Sequence, residues 1–360
     1  MISSDISLIR LVRHQIAGTK LSNPKEIVAW MGAMQAQDYP MAKWAIGVRL
    51  PGSTDKSIET AIDNAEIIRT HLLRPTWHLV AADDIYWLLE LTASQIKAAQ
   101  SSRDRDLGLT EEIYSKSNKI IEKVLSEDRH LTREELIVRL QKAGIATDQN
   151  RASHLLARAE LEKIICSGPT RNGKPTYALL SERAQKNKEL TKDEALAELA
   201  KRYFTSRCPA TLQDFTWWSG LPARDANHAL ELVESDLNPE IIEGRTYWLT
   251  SDITLPQPNP STAYLLPPYD EYILSYADRS ASITPNDEQH MKKISDRGVF
   301  RPIIVVDGQV TGTWKRTIKK DTMIVDLQPF TNPDPSIQKM ISGSASQYGH
   351  FIGKKLEVNL

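Results

Sequence analysis

Cysteine is almost absent: Cys166 and Cys208 are the only two in 360 residues. Two thiols cannot build a disulfide framework or a cysteine-based zinc site. Long apolar runs are missing as well, because no window approaches the roughly 18 uninterrupted apolar residues of a membrane span. The opening Met1-Ile2-Ser3-Ser4-Asp5 has no basic segment leading into an apolar core, so no secretory signal is expected. A cytoplasmic chain without membrane attachment follows. An excess of one charge is also lacking, since the net charge is −1. Bulk attraction to a polyanion is thereby excluded, although a local patch is not.

Locally the charges separate. From Arg129 to Arg183 there are ten Lys/Arg against six Asp/Glu, and from Asp225 to Asp252 seven acids against one Arg. A basic middle beside an acidic segment suits a protein that offers one face to a polyanion. The length predicts two or three domains at about 100–200 residues each.

The most informative stretch is Met34-Gln35-Ala36-Gln37-Asp38-Tyr39-Pro40. Side chains at i and i+2 diverge by roughly 200° on a helix but share one face of an extended segment. The residue before proline avoids helical conformation, so Tyr39-Pro40 predicts a helix that ends before Gln35. The two carboxamides can then point together into a groove and hold a water or a sugar. They cannot be strong bases, because an amide does not titrate near neutrality.

In chain order, helices are predicted over 6–17, from Asn23-Pro24 towards Gln35, and over 54–64, followed by a strand at Thr76–Val80. Helices followed by strands is winged-helix order. Asp83–Ala99 reads as a helix, with Arg103-Asp104-Arg105-Asp106 as a solvated face or linker. The clearest local signal lies at 130–180. There Thr132–Glu135 caps one helix, Asn150 opens a second, and Asn172-Gly173 turns a hairpin. Arg151, His154 and Arg158 share one face of the second helix, and Arg171 and Lys174 flank the turn. This is a helix-turn-helix with a basic wing, which either reads a DNA groove or mediates protein contacts. Residues 193–250 repeat the theme with an acidic helix, a scaffold in which Trp217 and Trp218 read as core. After Pro256-Gln257-Pro258-Asn259-Pro260, a linker, the chain is β-rich, with a primed turn at Asp307-Gly308, a strand at Thr322–Leu327, and a final helix and strand. The expected fold class is α+β, mainly helical. It comprises winged-helix units over 1–125, 126–190 and 191–255 and a β-barrel-like domain over 261–360.

Five stretches together resemble the AlkZ-like winged-helix DNA glycosylases: Gln35-Ala36-Gln37, Arg74–Val80, Trp217-Trp218-Ser219-Gly220, Leu265–Tyr272 and Asp307–Arg316. They span nearly the whole chain in the family's order. The resemblance implies tandem winged helices and a C-terminal barrel curved around duplex DNA. It further implies excision of alkylated purines and, in some members, unhooking of interstrand crosslinks. Its catalytic motif is Gln-x-Gln in one branch and Gln-x-Asp in another. Gln35 and Gln37 match the first, whereas Asp38 lies one place beyond the second branch's carboxylate.

Ordinary glycoside hydrolysis needs a carboxylic acid to protonate the leaving group. An N7- or N3-alkylated purine already carries positive charge, so a site of two glutamines that places a water suffices. Gln35 and Gln37 are the candidate catalytic pair, or else caps of the preceding helix. Candidate DNA contacts are Arg74, Thr76, His78, Arg151, His154, Arg158, Arg171, Lys174, Lys315 and Arg316. His78 could instead be structural, and Asp38 is either a general base or a turn residue. Asp270, Glu271 and Asp278 lack accompanying ligands, so no metal and no cofactor is expected. No lysine is placed for a Schiff base, which predicts monofunctional hydrolysis; winged units held in tandem need not dimerise, and a nucleoid-associated monomer acting on double-stranded DNA is expected. The competing reading is a non-enzymatic winged-helix regulator, which would usually dimerise on half-sites.

Overall fold

The computed structural model describes residues 3–253, 262–283 and 288–360; the Pro256–Pro260 stretch lies outside them. The chain begins with α1 (Ser3–Arg13) and α2 (Pro24–Met31), the latter capped by the Asn23 side chain. Then come β1 (Met34–Gln35), α3 (Tyr39–Gly47), α4 (Asp55–Asp63), β2 (Ile67–Leu72) and β3 (Thr76–Ala81). The long α5 (Ile85–Asp106) leads to α6 (Glu111–Asp128), β4 (His130–Thr132), α7 (Arg133–Lys142), α8 (Arg151–Leu161), β5 (Ile165–Arg171) and β6 (Lys174–Leu179). After α9 (Leu180–Arg183) follow α10 (Lys192–Arg207), α11 (Leu212–Ser219), α12 (Ala223–Glu231), β7 (Leu237–Ile242) and β8 (Arg245–Thr250).

One order of elements thus recurs three times: a helix, a short strand, two helices and a hairpin. The sheets run β1-β3-β2 and β4-β6-β5, and the third is β7-β8 extended by a bridge from Ala210 to Trp248. In each unit the short strand lies beside the last strand of the hairpin. Local chemistry sets the punctuation. Thr54, Thr132, Thr191 and Thr211 all close capping boxes at helix starts. The hairpins at Asn172-Gly173, Glu243-Gly244 and Asp307-Gly308 turn on residue pairs that both have positive φ, as a type I′ turn requires.

The remainder comprises β9 (Ala263–Leu266), α13 (Glu271–Leu274), α14 (Glu288–Ile294), the small ladder β10 (Ser295–Asp296) with β11 (Val299–Phe300), then β12 (Ile303–Val306), β13 (Gln309–Ile318), β14 (Thr322–Pro329), α15 (Pro335–Ile352) and β15 (Lys355–Asn359). The expected barrel is an open five-stranded sheet of order β15-β14-β13-β12-β9, curled as a half-barrel, with β14 and β15 parallel. The first unit and this sheet share one core. Trp44 donates its indole N–H to the Leu265 carbonyl at 2.8 Å and packs in tilted geometry against the rings of Tyr348 and Phe351 of α15.

Three readings change. Arg103–Asp106 is the last turn of α5 rather than a linker; Arg103, Arg105 and Asp106 are the expected solvated face, but Asp104 is buried and accepts from His154 Nδ1 at 2.7 Å. Helix α6, unmarked in the sequence reading, puts Tyr114, Ile121 and Leu125 into one core with Leu136 and Leu155. Tyr39-Pro40 starts a helix rather than preventing one, because Asp38 caps it and proline is tolerated in the first turn. No described helix is long and apolar enough to cross a membrane.

Candidate active site

Helix α2 stops at Gly32 (φ 70°), and the chain turns extended. Met34 and Gln35 pair with Leu79 and His78 of β3, and the Ala36 N–H donates to the Trp77 carbonyl at 2.7 Å. The glutamine motif is therefore an extended link between two helices, with Gln35 half-buried and Gln37 exposed. Asp38 is occupied as the α3 cap, its Oδ1 accepting from the Met41 N–H at 3.2 Å.

Two groups fix Gln35. Its backbone N–H donates to Glu271 Oε1 at 2.8 Å, and its amide oxygen Oε1 accepts from Arg74 Nη2 at 3.2 Å. Glu271 is buried, and its other oxygen accepts from Arg207 Nη2 (3.0 Å), Trp218 Nε1 (3.0 Å) and Ser275 Oγ (2.7 Å). Burial alone would raise its pKa. The Arg207 charge and the hydrogen bonds from Ser275 and Gln35 win and hold it at about 2. Glu271 is therefore an ionised brace with both oxygens occupied. Arg74 is held from the other side by Gly220 (φ 66°), where a Cβ would sit 2.9 Å from the Leu73 carbonyl oxygen and 3.1 Å from Arg74 Cγ. Only glycine allows α11 to approach the β2–β3 turn this closely.

His78 lies beneath, across the ladder from Gln35, and is fully buried. Its Nδ1–H donates to the Thr76 carbonyl at 3.0 Å. Burial first, then the Arg74 charge, lowers its pKa to about 4, so it is neutral near pH 7. It does not line an open groove. Thr76 likewise has its hydroxyl buried.

The remaining candidates scatter. On α8, His154 pairs with Asp104, and Arg158 with Glu111 and Glu162, so two thirds of the expected reading face is spent inside the protein; Arg151 is half-buried nearby. Arg171 pairs with Glu135, whereas Lys174 is exposed. Lys174 lines a cavity of about 540 Å³ with Tyr39, Arg69, Trp77 and Tyr177. That cavity faces the Trp77 side of the strand, opposite His78 and Gln35, because successive strand residues alternate. It contains neither glutamine.

Lys315 is exposed on β13, and Arg316 donates to the Tyr348 hydroxyl. The Asp307-Gly308 tip does not project, since the Gly308 carbonyl accepts from Tyr272 and a Cβ there would strike Ser7. The exposed tip is the β13–β14 turn at Lys319-Lys320. Asp270 forms a buried bidentate pair with Arg49, and Asp278 pairs with Arg245. Among the described residues no group of three or more His, Cys, Asp or Glu could hold a metal.

Sequence reasoning missed Arg207 and Gly220, and placed Glu271 only in a metal reading. Its signal was position: Glu271 lies inside Leu265–Tyr272 and Gly220 ends Trp217–Gly220, two of the five diagnostic stretches.

The model of the AlkZ-like DNA glycosylase family matches residues 28–351 of this chain. The chain is a member of that family and a DNA glycosylase, which sets aside the regulator reading. It is similar to the interstrand DNA cross-link repair glycosylase of Streptomyces sahachiroi, 24% identical over 350 residues, 92% of this chain and 90% of the relative. The solved structure of the Streptomyces sahachiroi DNA glycosylase AlkZ has the same fold, with a TM-score of 0.81 at 20% identity over 99% of each chain.

Proposed function

We propose that this protein is a monofunctional glycosylase that hydrolyses the N-glycosidic bond of N7- or N3-alkylated purines in duplex DNA, with Gln35 and Gln37 positioning the water. The observation that carries this reading is the absence, among the described residues, of a usable acid beside Gln35. Glu271 is ionised and fully occupied, His78 is neutral, and Asp38 is capping a helix. A site that cannot protonate its leaving group suits a base that already carries positive charge and departs neutral. Arg74 fixes which end of the Gln35 amide is the oxygen, leaving that oxygen one lone pair for a water O–H. Gln37, exposed two residues on, supplies the second amide. Lys43 is paired with Asp55 and Glu59, which suits hydrolysis without a Schiff base.

The three repeated units are read as tandem winged helices, followed by the half-barrel over 261–360. Because α6 packs into the second unit's core, the first division falls before it rather than at residue 125. DNA contacts are assigned to the exposed Lys174 and Lys315 and to Lys319-Lys320 at the β13–β14 turn. The Streptomyces sahachiroi relative is an interstrand DNA cross-link repair glycosylase, and by that likeness the proposed substrate class extends to interstrand crosslinks.

The test is release of 7-methylguanine from methylated duplex. Gln35→Ala and Gln37→Ala are each expected to abolish release while duplex binding persists, and uracil is expected to stay in place. Full release by both variants would end the reading.

A further inference from the structure

Trp217 is the exposed member of eight tryptophans, at 45%. The sequence reading put it in the core with Trp218; only Trp218 is there. The indole is held rather than loose, because Nε1 donates to the Leu274 carbonyl at 3.1 Å. The Arg74 guanidinium lies 5.6 Å from the indole centroid and that of Arg279 5.7 Å from it, while Arg279 is also 5.3 Å from the Phe300 ring. Since Arg74 donates to Gln35, a series of neighbouring flat groups connects to the candidate catalytic amide: guanidinium, indole, guanidinium, phenyl.

Ion pairing adds a second observation. Arg10, Arg13, Arg49, Arg158, Arg202 and Arg207 all meet carboxylates, whereas Arg74 and Arg279, like Arg69 and Arg183, form no ion pair among the described residues. Among the described residues Arg279 is hydrogen-bonded through Nε alone, which donates to the Ile273 carbonyl at 2.9 Å. A rigid exposed ring beside a guanidinium with no carboxylate in ion-pair contact among the described residues matches the two parts of a nucleotide, a π-face and a phosphate. A paired duplex shows a protein only base edges in its grooves. A ring face can be covered by a base face only if that base has left the stack.

We propose that Trp217 is the stacking platform for one nucleotide displaced from the duplex beside the bond under attack, with Arg279 taking its phosphate. The location rests on the glutamine site proposed above, so the test does not use excision. Full-length protein is bound to a duplex containing a tetrahydrofuran abasic analogue, with 5-iodouracil placed in turn opposite it and at its neighbours, and irradiated. One position is expected to crosslink to the peptide bearing Trp217, and the same position in the intact duplex is not. Because base–aromatic stacking is worth about 1–3 kcal/mol, Trp217→Ala should bind the abasic duplex about 5- to 150-fold more weakly, with Trp217→Phe largely restoring it.

Absence of any crosslink at Trp217, equal crosslinking from the intact duplex, or native affinity in Trp217→Ala would overturn the proposal. Crosslinking without release of 7-methylguanine would leave the platform standing and remove the alkylpurine reading. Release with native affinity in Trp217→Ala would do the reverse.

Discussion

Arg74 can be assigned two roles that predict different kinetics. In the structure its Nη2 donates to Gln35 Oε1 at 3.2 Å, which makes it a positioning group. A cation beside a DNA enzyme's active site could equally serve a phosphate. Arg74→Met keeps most of the apolar stem and removes the guanidinium. Loss of a hydrogen bond from a charged donor costs about 1.5–3 kcal/mol. At about 1.4 kcal/mol per decade, the chemical step slows about 10- to 150-fold. The assay is single-turnover release of 7-methylguanine at saturating protein, beside duplex affinity measured across a salt series. Loss of a phosphate contact lowers the slope of log affinity against log salt by about 0.9. Positioning predicts a slower saturated rate with an unchanged slope. A native saturated rate with the slope reduced by about one would refute it.

Glu271→Gln leaves Arg207 without its buried counter-charge and sets one amide end against a donor, so stability should fall by about 3–5 kcal/mol in urea unfolding; a loss under 1 kcal/mol would contradict the brace. The folded pKa of Glu271, about 2, lies below its ordinary 4.5, so its contribution is complete above pH 4.5 and disappears as pH falls towards 2, about 3 kcal/mol in all. For His78 the folded pKa of about 4 lies below 6.5, so stability is lost between pH 6.5 and 4, and His78→Asn should flatten that limb in pH-dependent unfolding. The excision rate should show no inflection near pH 6.5; one that vanished in His78→Asn would make the imidazole a participant. Asp38→Asn retains a good cap, so release should stay within a few-fold of native, and a hundredfold loss would instead identify a general base.

What the sequence disclosed was largely local. Asn172-Gly173 and Asp307-Gly308 announced their hairpins because few residue pairs accept two positive φ values. Thr132 with Glu135 announced α7 through reciprocal capping. The extended path of Gln35 followed from i, i+2 geometry, though proline was credited where Gly32 ends the helix and Asp38 starts the next. Helix α6 escaped because its stripe is sparse and includes buried Ser117 and Asn118, which no hydropathy pattern marks. Arg158 and His154 looked like a solvent face because their partners, Glu111 and Asp104, are 47 and 50 residues away. The brace on Gln35 spans 236 residues and was invisible for the same reason.

That distance explains why the site needs the whole chain. The first unit supplies both glutamines, the third supplies Arg207, Trp218 and the Gly220 contact, and the segment after β9, within the half-barrel domain, supplies Glu271. An acid or base can contribute through its pKa even when loosely held. An amide has only its orientation to offer, so in the proposed mechanism positional freedom at Gln35 would erode its effect on a water. A carboxylate buried under four donors is costly to assemble, and replacing such a cluster with apolar side chains is often neutral for stability. Its value lies in geometry: four N–H or O–H groups from three parts of the chain converge on one carboxylate, so Gln35 is fixed only when all three parts are docked. The chemically passive motif and the heavily charged brace behind it are therefore one device, and neither would be useful without the other.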